Sequence, residues 1–140
     1  MERKLRHLEF ILSIENRLAT LSSVIKGWAI SLIPALFALS IKGIEIIYLV
    51  AIYLMLLIFW TLDAHVLTIE RSYRAHYNAV RLKDPEKINF DMNTKHYKNT
   101  KIHGKKVSFL AAMFSRNHTV FYLSLSFVIF IFCYILSLNK

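Results

Sequence analysis

The chain of 140 residues is 56% hydrophobic, has a mean hydropathy of +0.43, and contains three glycines and two prolines. This composition argues against an ordinary soluble domain, and the scarcity of turn-forming residues argues against an all-β fold. Lysine and arginine outnumber the acidic residues 18 to 9, which gives a net charge of +9. Such an excess is typical of proteins that bind a nucleic acid or an anionic membrane, and of basic loops that orient a membrane protein. We predict an all-α integral membrane protein with three transmembrane helices.

The first predicted element, residues 1–25, is an amphipathic cytoplasmic helix. Its apolar residues recur at alternating steps of three and four, the period of one helix face. They are Ile11, Ile14, Leu18, Leu21 and Ile25. Such a helix either lies flat on a membrane or packs against another helix. We predict packing, because the helix that continues from the second span carries a matching apolar stripe.

Residues 26–62 are predicted to form a transmembrane hairpin. Two charge-free stretches, Gly27–Ile41 and Ile46–Leu62, flank the short connection Lys42–Glu45. Each approaches the roughly 20 residues that cross a bilayer, and the lysines that flank the first stretch can extend to the two interfaces. Pro34 lies in the middle of the first span and predicts a kink there, because proline removes one backbone hydrogen bond.

Three small residues, Ser31, Ala35 and Ala38, lie on the first predicted span. Small side chains let two membrane helices approach closely, which favours helix association in lipid. Three spans are also too few to enclose a channel alone. These observations predict a homo-oligomer whose subunits act on the membrane together.

The second predicted helix continues beyond the membrane as far as Lys83. Helix breakers are absent until Asp84-Pro85, where the residue before proline disfavours helical geometry. This helix opens a basic cytoplasmic helical segment that we assign to residues 63–118. Its apolar stripe comprises Val66, Ile69, Tyr73, Tyr77 and Val80.

Three charged residues on this helix are candidates for a pore mouth or a subunit interface: Asp63, Glu70 and Arg74. A charged residue beside or within a membrane span is usually functional. Asp63 can line a pore mouth, pair with Arg17 or Lys26 across the helix pair, or mark the water interface. Glu70 and Arg74 stand one turn apart, in the order that favours a helical ion pair.

From residue 86 to residue 106 the chain is polar, and we predict a loop with one short helix. A second amphipathic piece, residues 107–116, then leads into the third span at residues 119–138. The second part of this loop carries five lysines, at Lys95, Lys98, Lys101, Lys105 and Lys106. They are predicted to bind anionic lipid headgroups or RNA phosphates, and their position beside a membrane span favours lipid.

The distribution of basic residues predicts the orientation. Sixteen of the 18 lysines and arginines precede the first span or lie in residues 63–118, whereas Lys42 and Lys140 lie on the other side. Because basic loops stay in the cytoplasm, we expect a cytoplasmic N-terminus and an outward C-terminus in a bacterial inner membrane.

One local pattern is typical of an enzyme. Arg71 and His76 have the arginine, four residues, histidine spacing of HEPN-type ribonucleases, which cleave RNA without a metal. A guanidinium can bind a phosphate through two hydrogen bonds, and an imidazole can transfer a proton near neutral pH. The competing interpretation is the solvated face of an amphipathic helix, and on balance we predict no enzymatic activity.

No cofactor or metal site is predicted. The six histidines lack metal-ligand spacing with a supporting carboxylate, and the HExxH motif is absent. They stand at positions 7, 65, 76, 96, 103 and 118.

Three segments resemble parts of a known group of membrane proteins: Lys26–Trp28, Phe59–Asp63 and Glu70–Arg74. Over residues 8–91 the chain resembles small prokaryotic membrane proteins encoded beside antiviral systems, including SLATT-type effectors and the membrane accessory protein of type VI-B CRISPR loci. SLATT proteins have two spans, whereas three are predicted here. The resemblance implies an oligomeric inner-membrane effector that forms a pore or depolarises the cell. A nucleic-acid-guided effector complex would be its activating partner. The alternatives are a membrane-anchored ribonuclease and a non-catalytic scaffold for a soluble partner.

Overall fold

The computed structural model describes residues 2–39, 46–102 and 104–138. These contain four α-helices: α1 (Glu2–Leu39), α2 (Ile46–Leu82), α3 (Phe109–Met113) and α4 (Arg116–Leu138). Between α2 and α3 lie two 3-10 turns, Pro85–Lys87 and Lys95–Tyr97, and the short strands β1 (Lys101–Ile102) and β2 (Lys105–Lys106). The predicted helical fold is confirmed. The predicted connection Lys42–Glu45, His103 and Lys140 lie outside the described residues.

Helices α1, α2 and α4 each contain a stretch long and apolar enough to cross a membrane. Only 11 to 17% of the residues in these stretches are buried inside the molecule. On α4, for example, Phe127 and Phe130 remain more than 60% exposed. Continuous apolar surface of this kind is rare on a soluble monomer and requires a lipid or protein covering.

Helices α1 and α2 form a long antiparallel pair. Near the start of α1, the Lys4 ammonium donates to the carbonyl oxygen of Arg81, in the last turn of α2, at 2.9 Å, and to that of Lys83, just beyond α2, at 2.6 Å. Farther along, Ile33 of α1 and Ile52 of α2 are buried in the same hydrophobic cluster. The two helices pair through their apolar stripes, because each stripe is removed from water only when it packs against another apolar surface.

The bundle has two halves with separate cores. We call α1 from Gly27, α2 up to Leu62 and α4 from Thr119 the apolar half, and the other residues that the structure describes the polar half. The core of the apolar half comprises Ala29, Ile33, Ile52, Leu56, Tyr122 and Ile129. That of the polar half comprises Leu8, Ile11 and Val80, with Tyr73, Tyr77, Ile88 and Met92 packed against them. Since α1 and α2 run unbroken through both halves, the predicted boundaries at residues 25/26 and 62/63 fall inside helices.

Helix α1 continues through Pro34 to Leu39. At the other end of the pair, α2 ends at Leu82, three residues before Pro85, as the proline predicts.

The segment after α2 differs from the predicted loop with one short helix. Asn89, Asp91 and Asn93 each accept a hydrogen bond from the amide two residues later, which produces consecutive Asx turns. A hairpin follows, in which Lys101 pairs with Lys106 and Ile102 with Lys105. Its turn contains Gly104 at a φ of 77°, a left-handed conformation that glycine adopts without steric strain.

Candidate functional site

The carboxylate of Asp63 is fully buried where α1, α2 and α4 meet. This residue directly follows the charge-free stretch of α2, at the border between the two halves. A buried carboxylate is stable only where other groups donate hydrogen bonds to it or neutralise its charge. Its surroundings therefore define the first candidate site, which we call the Asp63 network.

Helix α1 supplies two partners to this network. The Lys26 ammonium lies 2.7 Å from Asp63 Oδ2, and the Ser22 hydroxyl donates to Asp63 Oδ1 at 2.5 Å. Lys26 also donates to Ser22 Oγ at 2.6 Å. Residues four apart share a helix face, so both side chains reach α2 from one side.

Helix α4 supplies two more partners, and they are also one turn apart. His118 Nε2 lies 2.9 Å from Asp63 Oδ2, and the Tyr122 hydroxyl lies 3.2 Å from the same oxygen and 3.2 Å from the carbonyl oxygen of Phe59. The other ring nitrogen of His118 is 2.9 Å from Ser115 Oγ. A hydrogen bond at the second nitrogen fixes the ring orientation, as it does for histidines in polar sites generally.

The network balances its charges inside the protein. The oppositely charged side chains of Lys26 and Asp63 neutralise each other. In a low-dielectric interior, removal of one member of such a pair leaves an uncompensated charge, which costs about 3–5 kcal/mol. Because its members come from three helices, the network fixes how these helices pack together.

The sequence predicted part of this arrangement. Of the three interpretations of Asp63, the structure shows the pairing with Lys26, whereas Arg17 is exposed. His118 and Tyr122 were not predicted. A signal for His118 was present, however, because Lys26, Asp63 and His118 each stand next to a charge-free stretch.

Arg71, half of the predicted ribonuclease pair, has structural partners. Its guanidinium is buried, and Nη1 donates to the carbonyl oxygens of Lys106 and Ala111, at 3.2 and 2.9 Å. These bonds hold the hairpin and α3 against α2. His76 lies five residues later, which rotates it about 140° around the helix from Arg71. The two side chains of one chain therefore point in different directions, and the geometry favours a structural role for Arg71.

His76 belongs to a second cluster, in which His76 and His7 are buried, Tyr97 is half-buried and Phe90 is exposed. The rings of His7 and His76 meet edge to face with centroids 5.7 Å apart, and His76 Nδ1 lies 3.4 Å from the Tyr97 hydroxyl. The Nε2 atoms of both histidines are buried without a hydrogen-bond partner among the described residues. Burial lowers the pKa of both imidazoles, and the proximity of His7 lowers the pKa of His76 further. We call this the His7–His76 cluster.

The predicted ion pair between Glu70 and Arg74 is confirmed, with Arg74 Nη2 2.6 Å from Glu70 Oε1. Arg74 also reaches towards α1, where its Nε lies 3.8 Å from Glu15 Oε2. Burial raises the pKa of Glu15, and the nearby Arg74 opposes this effect. The pair thus joins the two helices of the polar half, and about half of the Arg74 side chain remains exposed.

The five lysines of the predicted lipid or RNA site are all exposed, and they occupy the segment around the hairpin. They are Lys95, Lys98, Lys101, Lys105 and Lys106. The structure brings Lys101 and Lys106 together as paired residues of β1 and β2.

Within the described ranges, no group of three or more histidine, cysteine, aspartate or glutamate side chains is arranged to hold a metal ion. No protein-family model matches the chain, and no curated protein or solved structure is significantly similar to it.

Proposed function

We propose that this chain is a three-span protein of the bacterial inner membrane that assembles as a homo-oligomer and permeabilises the membrane when a partner system of antiviral defence activates it. The observation that carries the proposal is an open face of small residues on α1. Gly27, Ser31 and Ala35 follow each other at four-residue steps, and Ala38 extends the row. All four are exposed.

This small-residue face is exposed in the part of the chain that the structure describes. A Cβ atom added to Gly27 would meet nothing within 4 Å. In lipid, apolar helices gain little from apolar side chains alone, whereas small residues in a row allow close backbone approach and favourable packing. A second copy of α1 fits such a face, which supports self-association.

Membrane insertion accounts for the exposed apolar surface of α1, α2 and α4. The distribution of 16 basic residues against two supports a cytoplasmic polar half. In this orientation the Asp63 network lies at the inner end of the spans, where buried charges are expensive and are usually functional.

The continuity of α1 and α2 supports activation from the cytoplasmic side. Each is one helix through both halves, so a displacement of the polar half is transmitted directly to the spans. The Asp63 network lies at the junction and can hold one arrangement of the three helices until a partner binds. The antiviral context itself depends on the resemblance at residues 26–28, 59–63 and 70–74.

The proposal is tested with purified protein in dye-loaded vesicles, together with cross-linking in the same vesicles. The Ala35→Leu variant places a large side chain in the small-residue face. We expect it to lose both the cross-linked oligomer and most of the dye release. The matched control is Ala51→Leu on α2, also exposed, between the large neighbours Val50 and Ile52.

Three results have distinct meanings. A wild-type oligomer that releases dye, with loss of both properties in Ala35→Leu alone, supports the proposal. A wild-type chain that is only monomeric in vesicles contradicts it. An oligomer that releases no dye contradicts the permeabilising function and favours the scaffold alternative.

A further inference from the structure

Cationic and large apolar side chains lie beside each other on the hairpin and α3. The hairpin contributes the exposed lysines Lys101, Lys105 and Lys106. Helix α3 begins three residues later with Phe109, which is 39% exposed, and Leu110, which is 66% exposed. Phe114, directly after the last residue of α3, is 63% exposed. We call these six residues the hairpin surface. A soluble protein rarely exposes aromatic and aliphatic residues this fully, so the surface needs a partner with both anionic and apolar parts.

Trp60 holds the end of α3 at a defined position along α2. Its indole nitrogen donates to the carbonyl oxygen of Met113 at 2.9 Å, and its ring meets that of Phe114 edge to face with centroids 6.0 Å apart. Trp60 lies two residues before Leu62, where the charge-free stretch of α2 ends. The end of α3 is therefore level with the end of the apolar half, the depth at which tryptophan is enriched in membrane proteins.

Arg71 holds the hairpin at a defined position along α2, through its hydrogen bond to the carbonyl oxygen of Lys106. Arg71 is nine residues beyond Leu62, which is about 13 Å along a helix at 1.5 Å per residue. The headgroup layer extends roughly 5–7 Å beyond the hydrocarbon. The Lys106 backbone therefore lies within about one Debye length, roughly 8 Å, of that layer, so the field of anionic phosphates reaches the hairpin lysines. This step rests on the membrane placement in the proposed function.

We infer that the hairpin surface binds anionic phospholipid headgroups of the inner leaflet. Phe109, Leu110 and Phe114 insert into the boundary between headgroups and acyl chains, as the apolar face of an interfacial helix does. The anionic phosphates of the same leaflet attract the hairpin lysines. RNA offers the same phosphates, but Leu110, which is 66% exposed beside the lysines, is an apolar side chain that has no ring for base stacking.

The experiment measures lipid preference. Wild-type protein and variants are extracted in detergent with an equimolar mixture of phosphatidylglycerol and phosphatidylcholine, and the retained lipids are counted by native mass spectrometry. The test variant is Lys105→Gln with Lys106→Gln. The control is Lys83→Gln with Lys87→Gln, which removes the same charge from exposed lysines just beyond the far end of α2. Circular dichroism verifies equal helicity.

We expect the wild type and the control to retain phosphatidylglycerol preferentially, and the hairpin variant to lose this preference on the order of tenfold. Equal preference in the two double variants overturns the inference. So does a hairpin variant that keeps its lipid preference but loses binding to single-stranded RNA. A separate variant, Leu110→Ser with Phe114→Ser, is expected to lower retention of both lipids.

The failure of this inference can be distinguished from failure of the proposed function. If the chain does not reside in the membrane, it is recovered from cells without detergent, and lipid retention is low for every variant. If it resides there but the hairpin does not bind headgroups, all variants need detergent and retain the two lipids in the same ratio.

Discussion

The Asp63 network and the His7–His76 cluster both bury titratable groups between helices, but they do so in opposite ways. Asp63 is completely buried and receives four polar contacts from α1 and α4. His7 and His76 are almost as buried, yet an imidazole nitrogen of each lacks a hydrogen-bond partner among the residues that the structure describes. Charge can be buried in the first site because its partners are present. In the second, burial disfavours the charged form of both rings and lowers the pKa of each histidine.

The Asp63 network and the His7–His76 cluster also lie at different places in the fold. The network joins three helices at the border of the apolar half, where water is scarce and an unpaired charge is most expensive. The cluster joins α1 to the end of α2 and to the loop that carries Phe90 and Tyr97. We therefore expect the network to determine the stability of the bundle, and the cluster to make its polar half sensitive to pH.

The largest expected effect on stability comes from removing the Asp63 carboxylate. Asp63→Ala leaves Lys26 and His118 without their acceptor and is expected to lower the free energy of unfolding by about 3–5 kcal/mol. Thermal unfolding in detergent, followed by circular dichroism, measures this change. The matched control is Asp84→Ala, because Asp84 pairs with Lys87 at 3.3 Å while 71% of its side chain is exposed. That substitution is expected to have no measurable effect, and equal losses for the two variants would refute the special role of the network.

A smaller effect is expected from the His7–His76 cluster when the pH is lowered. The folded pKa of each histidine lies below the unfolded value of about 6.5, so the unfolded chain binds more protons in the interval between them. Stability contributed by the neutral rings is complete above about pH 6.5 and decreases as the pH falls towards the folded pKa. Unfolding midpoints between neutral and mildly acidic pH measure this slope.

Two histidine variants sharpen the test. His76→Phe removes one titrating ring from the cluster and is expected to flatten the slope. His65→Gln changes an exposed histidine of the same helix and is expected to leave the slope unchanged. Glu15, whose pKa is raised by burial, contributes a slope of opposite sign, but it is present in every variant and cancels in the comparison. A wild-type slope that persists in His76→Phe would assign the pH response to other groups.

Local sequence signals predicted the helices well. Pro85 indicated the end of α2, and the three-and-four spacing of apolar residues predicted that the N-terminal part of α1 packs on α2. Both features depend on residues close in sequence or on a helical period, so a single chain displays them. The ion pair of Glu70 with Arg74 was predictable for the same reason.

Features that depend on distant partners were not predictable. Two strands of two residues each are too short to show an alternating pattern, and Gly104 was the main local cue for their turn. Arg71 bonds to carbonyl oxygens 35 and 40 residues away, which its local motif does not indicate. The meeting of His7 with His76 likewise depends on the antiparallel register of α1 and α2.

The central claim is that α1, α2 and α4 cross a membrane with the polar half in the cytoplasm, and cysteine labelling tests it most directly. In a Cys133→Ser background, single cysteines replace Lys83, beyond α2, and Ser137, near the end of α4. Intact spheroplasts are treated with a membrane-impermeant maleimide. The account predicts labelling of Ser137→Cys in intact cells and of Lys83→Cys only after lysis. Labelling of both from the same side would contradict it.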